Sequence, residues 1–128
     1  LIEFSKNLEK IIFNSDKEQI SRVFFNLIKN SIESIQQKAE NDSKFNKKIT
    51  IELSEFDDHI YIIIVDSGIG FSKVSSNIKD ILNPYFTTKK NGTGLGLSIV
   101  NKIISDHNGK IDFVPISDGA KIKIDFVK

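Results

Sequence analysis

The stretch ITIELSEFDDHIYIIIVD, residues 49–66, limits the possible fold more than any other part of the chain. In its first half Ile49, Ile51 and Leu53 alternate with Thr50, Glu52 and Ser54, the two-residue period of a strand with one buried face. The second half, HIYIIIVD, is apolar at almost every position, which fits a strand covered on both faces and therefore central in its sheet. Asp57 and Asp58 between them are a turn signal, so the two halves predict an antiparallel hairpin. A second hairpin is predicted near the end of the chain, where KIDFVPI and AKIKIDFV flank the turn signal SDG at 117–119.

Helical periodicity occupies the segments between. Ser15 and Glu18 in SDKEQI have capping-box spacing and predict a helix start. Ile20, Val23, Phe24, Leu27, Ile28 and Ile35 then form one apolar face through about Gln37, with Arg22, Asn26, Asn30 and Glu33 on the other flank. Ile99, Val100, Ile103 and Ile104 mark a second helix, starting near Thr93 and stopped by Asn108 and Gly109. Residues 36–48 are polar, and 71–91 are weakly periodic and read as a long loop, a feature that is uncommon in compact domains and often functional. Helices on one face of a mixed, mostly antiparallel sheet predict an α+β fold, a two-layer sandwich.

Composition narrows the function classes. The 128 residues fit one domain, 1–128, with a core of its own. Lys plus Arg number 18 against 17 acidic residues, so no strong field favours nucleic acid or anionic lipid. The chain has no cysteine, which excludes a disulfide scaffold or a thiolate metal site and fits a reducing, cytoplasmic setting. No apolar run approaches the roughly 20 residues needed to cross a bilayer, so no direct membrane contact is expected. Leu1 in place of an initiating methionine points to a segment of a longer protein.

Three polar constellations could carry chemistry. Asn26 and Asn30, four apart on a helix, project side by side; they are either two surface amides or two oxygen donors for Mg²⁺. Asp66, with Gly68 and Gly70, ends the central strand. It reads as a simple turn or as a carboxylate acceptor for an exocyclic amine such as that of adenine, with the glycines clearing space for a base or sugar. The run NGTGLGLS, 91–98, lacks both the P-loop ending and the dinucleotide glycine spacing. It reads as a hinge or as helix-entrance amides suited to phosphate, with Lys89 as a solvated cation or an added point charge. His59 and His107, the two histidines, have no nucleophile or carboxylate at motif spacing and read as structural.

In order, NLIKNSIES (26–34), DSGIG (66–70), NPYFTTK (83–89) and NGTGLGLSIV (91–100) resemble the N, G1, F and G2 boxes of the ATP-binding catalytic domain of sensor histidine kinases. RVFFNLIKNSIESI and NPYFTT are most similar to the nitrogen-regulation type. The resemblance implies the Bergerat sandwich shared with gyrase B, Hsp90 and MutL. It also implies an enzyme that transfers the γ-phosphoryl group of Mg·ATP to a histidine on a separate helical dimerisation domain, with a response regulator downstream. By the same resemblance Asn30, with Asn26 beside it, holds Mg²⁺; Asp66 receives the adenine amine; and Gly68 and Gly70 shape the base pocket. Residues 71–91 become the ATP lid, anchored by Phe86, with Thr88 and Lys89 at its end. Gly92, Thr93, Gly94, Leu95, Gly96 and Leu97 become the hinge and phosphate-contacting segment.

Several positions depart from the family pattern. Asn83 stands where a glutamate is common, GAKI at 119–122 replaces GTTF in a segment expected to be structural, and the phosphoacceptor histidine block is absent from these residues. ATP-hydrolysing relatives, the alternative class, carry a water-activating glutamate four residues before the metal asparagine. Here that place is Asn26, which cannot accept a proton at neutral pH, and this weighs against an ATPase or conformational switch. The intact box residues weigh against a non-catalytic interaction module.

Overall fold

The structure is a computed structural model that describes residues 2–4, 11, 13–70 and 96–128. Five strands, β1 (Ile2–Phe4), β2 (Ile49–Phe56), β3 (His59–Asp66), β4 (Gly109–Val114) and β5 (Ala120–Val127), form one sheet in the order β1-β2-β3-β5-β4. Both predicted hairpins are present, and β3 is central, as its two apolar faces require. Strand β1 pairs with β2 in parallel, which makes the sheet mixed. Three residues are too few to display a period, so no strand is predicted there from spacing.

Alternation fixes which side of the sheet meets the helices. Ile60, Ile62 and Ile64 of β3 are buried on one face together with Ile49 and Ile51 of β2 and Ile122, Ile124 and Phe126 of β5. Helix α1 (Lys17–Ala39) lays Val23, Leu27 and Ile35 on that face, and helix α2 (Gly96–Asp106) adds Val100, Ile103 and Ile104. The two-layer α+β sandwich is therefore as the patterning predicts. Aspartates and asparagines handle the tight corners: Asp57 (φ 53°) turns the first hairpin, and Asn108 (φ 58°) takes the left-handed conformation after α2. Gly109 opens β4, where a Cβ would lie 2.7 Å from the Phe126 ring.

The start of α1 corrects the sequence reading. Ser15 is not the cap and the Ser15–Glu18 box does not form. Instead Asp16 stands at the N-cap, and its carboxylate accepts from the amides of Glu18 (3.0 Å) and Gln19 (3.2 Å). A charged acceptor there meets two orphan amides and the positive end of the helix dipole, a stronger combination than a neutral hydroxyl one residue earlier. Asp16→Ala should therefore lower stability by about 1 kcal/mol, measured by denaturant unfolding, whereas Ser15→Ala should change it by only a few tenths.

Candidate functional site: a buried carboxylate facing the helical layer

Asp66 belongs to the helix-facing series that runs Ile60, Ile62, Ile64, Asp66, so strand periodicity itself carries a carboxylate to the edge of the apolar layer. The residue is only 5% exposed, and its partners come from three elements. The Gly68 amide donates to Oδ1 at 2.9 Å, the Ala120 amide on β5 donates as well, and the hydroxyl of Ser31 reaches it from α1. Burial pushes the carboxyl above the usual carboxylate range, opposed by these three hydrogen bonds and by the charge of Lys38. Such a group is a poor candidate for a structural ion pair and a good one for recognising a donor brought by a ligand.

The loop after Asp66 is held by the protein on every side. Ser67 and Lys48 bond reciprocally, Ser67 N–H to Lys48 O at 3.1 Å and Lys48 N–H to Ser67 Oγ at 2.8 Å. Ser34 Oγ on α1 accepts from the Ile69 amide at 3.0 Å. A Cβ on Gly68 would lie 2.2 Å from Ser34 Oγ and 2.7 Å from its backbone carbon, so Gly68 lets this loop press against α1. Gly70 has φ +78°, and a Cβ there would come within 2.4 Å of the carbonyl oxygen of Gly119. The space that both glycines leave is thus filled by protein, and the two residues set the path of the loop.

Asn26 and Asn30 are half-buried rather than displayed on a solvated flank. Asn26 faces the start of α2, where its Oδ1 would be, among the described residues, the nearest neighbour, at 4.0 Å, of a Cβ placed on Gly96. The structure thereby brings together two features far apart in the sequence, an amide oxygen donor and a helix entrance whose amides favour an anion. Leu97 packs its side chain against the core. The other predicted contacts, Phe86, Thr88, Lys89, Gly92, Thr93, Gly94 and Leu95, and the lid at 71–91, lie outside the described residues. Among the described residues no cluster of three or more His, Asp or Glu side chains could hold a metal ion. A pair of amide oxygens suits Mg²⁺ that keeps waters and phosphate oxygens as its remaining ligands.

Three site residues went unread in the sequence. Ser31 interrupts the apolar face of α1 four residues after Leu27 and is 2% exposed, and a small hydroxyl on a core stripe is the signal that could have found it. Ser34, three residues on, had no such signal. Gly119 passed as a turn residue.

The family described as histidine kinase-, DNA gyrase B-, and HSP90-like ATPase matches residues 15–127. The chain belongs to that ATPase family. Within it, the chain is 31% identical to the catalytic domain of the histidine kinase ThkA, with a TM-score of 0.76, covering 99% of this chain and 76% of that one. It is 35% identical over 127 residues to a protein of Rickettsia felis named as an NtrY-like sensor histidine kinase, and 35% identical over 130 residues to sporulation kinase A of Bacillus subtilis. These matches cover 98% and 99% of this chain and 20% of each relative, so the chain spans about a fifth of their length. The chain is therefore of the histidine kinase catalytic type within the ATPase family, and the family's α+β sandwich is the fold observed. Among the described residues, no helix is long and apolar enough to cross a membrane.

Proposed function

We propose that residues 1–128 form the ATP-binding catalytic domain of a sensor histidine kinase, which binds Mg·ATP and presents its γ-phosphoryl group to a histidine on a helical dimerisation domain elsewhere in the same protein. The observation that carries this reading is the buried Asp66 acceptor, with its oxygens held by Gly68, Ala120 and Ser31 on the helix side of the sheet. A carboxylate is an acceptor only, which matches the amine of adenine and mismatches the carbonyl oxygen of guanine. Asn26 and Asn30 would supply amide oxygens to Mg²⁺, which when bound neutralises phosphate charge. The entrance of α2 at Gly96 and Leu97 would meet phosphate oxygens with backbone amides.

In this reading the chain positions the reactants and balances their charge, and the nucleophile is external. Asn26 cannot deprotonate water, so ATP should persist in the site until an imidazole approaches in line with the γ-phosphorus. A response regulator would receive the phosphoryl group afterwards.

The test is to titrate the domain with Mg·ATP by calorimetry, then mix it with the helical domain of the full-length protein and assay acid-labile phosphate. The expected result is ATP binding, formation of phosphohistidine on the helical domain, and negligible ATP turnover by the catalytic domain alone. Fast turnover without the helical domain would favour the hydrolase class, and failure to bind Mg·ATP would leave an interaction module.

A further inference from the structure

His107 joins the exit of α2 to the entrance of α1. Its Nδ1 lies 2.8 Å from the carbonyl oxygen of Ile103, and its Nε2 accepts the backbone N–H of Asp16 at 3.1 Å. A carbonyl can only accept and an amide N–H can only donate, so the ring carries its proton on Nδ1 and offers a lone pair at Nε2. The chain on either side of this ring is fixed by its own contacts. Its own amide bonds back to Ile103 and Ile104 (3.2 and 3.1 Å), Asn108 turns the chain immediately afterwards, and Gly109 is wedged between Phe126 and Ile104. On the α1 side, the Phe13 ring packs at a tilt of 34° against Phe126, 4.9 Å between centroids, and the Asp16 carboxylate caps its own helix.

The end of α2 therefore sits at the start of α1, while the start of α2 at Gly96 sits beside Asn26 further along α1. The two helices run antiparallel. At about 1.5 Å per residue, Asn26 lies roughly 15 Å along α1 from Asp16, and Gly96 lies at about the same distance along α2 from His107. Between those ends the contact is apolar, through residues such as Val23 and Val100, whose ridges and grooves set the crossing of the helices without a directional bond. A directional hydrogen bond at one end does resist sliding.

We infer that His107 is a positioning residue for the phosphate end of the site: its bond to Asp16 pins the register of α2 against α1 and so sets where the amides at Gly96 stand relative to Asn26. The inference rests on the phosphate-binding reading proposed above. It concerns the triphosphate only, because Asp66 and its loop are held by β3, β5 and the C-terminal half of α1.

The experiment measures Mg·ATP and adenosine affinities of the whole chain for wild type, His107→Phe and His107→Gln. Gln can place an acceptor oxygen near the position of Nε2, and Phe cannot. His107→Phe should lose roughly tenfold in ATP affinity, the equivalent of one hydrogen bond, with adenosine affinity within about twofold of wild type. His107→Gln should recover most of the ATP affinity. Equal losses for ATP and adenosine, or no loss for ATP, would overturn the inference, as would His107→Gln falling as far as His107→Phe. Nitrogen NMR of the wild-type ring gives a readout independent of variant folding: the expected state is Nδ1–H with Nε2 unprotonated, and a proton on Nε2 overturns the proposal. Wild type that binds adenosine and not ATP, or neither, would instead remove the underlying reading.

Discussion

Asp66→Asn is expected to reduce adenine-nucleotide affinity by roughly 10²–10³-fold while leaving the domain about as stable as before. The asparagine side chain has the same shape, keeps one oxygen for the Gly68 amide, and presents an NH₂ that the Ser31 hydroxyl can turn to accept. What it cannot do is offer two acceptor oxygens, so the adenine amine would meet a donor. Stability is spared for a further reason. Because burial raises the folded-state pKa of Asp66 above 3.8, the folded protein binds this proton more tightly than the unfolded chain does. Stability contributed by the group is thus greatest below 3.8 and falls as pH rises through the folded value, so at neutral pH the ionised side chain is a net cost that asparagine removes. The same displacement means that wild-type ATP affinity should begin to fall, on acidification, at a higher pH than an exposed aspartate would give. Calorimetric titrations with ATP and GTP, paired with thermal unfolding, check both halves. Unchanged ATP affinity in the variant would detach Asp66 from adenine recognition, and a large stability loss would mean that its carboxylate is chiefly structural.

Periodicity carried most of what could be read in advance. The two hairpins, the central place of β3 and the core stripe of α1 each follow from spacing alone, because alternation and helical recurrence express burial directly. Asp66 was legible because a carboxylate ending an apolar strand is unusual. Its partners were not: Ser31 and Ser34 touch the site only because α1 crosses over the end of β3, a tertiary fact with no local signature. The capping error has a similar cause, since Ser15 and Asp16 are both good caps by type and the choice between them depends on geometry. Asp16 also has its backbone N–H taken by His107, 91 residues away, a contact that no local rule could supply. Gly119 was hidden for the opposite reason. Its turn signal was correct and sufficient, so nothing in the sequence asked for a second role.

That second role makes Gly119→Ala the most destabilising small substitution expected near the site. Gly119 has φ +86°, a conformation that costs a residue with a Cβ about 1–2 kcal/mol. The added Cβ would also lie 1.9 Å from the carbonyl oxygen of Asp66 and 2.9 Å from its carbonyl carbon. Neither atom can rotate away, since Asp66 is paired with Ala120 across the β3–β5 ladder and with Ile49 across β2. Overpacking of this kind typically costs a further 1–3 kcal/mol, so the total is roughly 2–5 kcal/mol, or a melting temperature lower by about 8–20 °C. Gly70→Ala strains the other side of the same contact, where its Cβ would approach the Gly119 carbonyl oxygen. Losses from the two substitutions should therefore combine to less than their sum, because the first to displace the turn relieves the second. Gly96→Ala is the control: among the described residues a Cβ there meets nothing closer than Asn26 Oδ1 at 4.0 Å, so stability should hold or rise slightly. Thermal unfolding of the four proteins with wild type decides the matter, and a Gly119→Ala melting temperature within 2 °C of wild type, on the order of half a kcal/mol, would show that the turn and the Asp66 carbonyl are free to part. If the turn does hold Asp66 in place, the variant should also bind ATP more weakly at temperatures where it remains folded, because the strand end that aims the carboxylate is the part the new methyl group displaces.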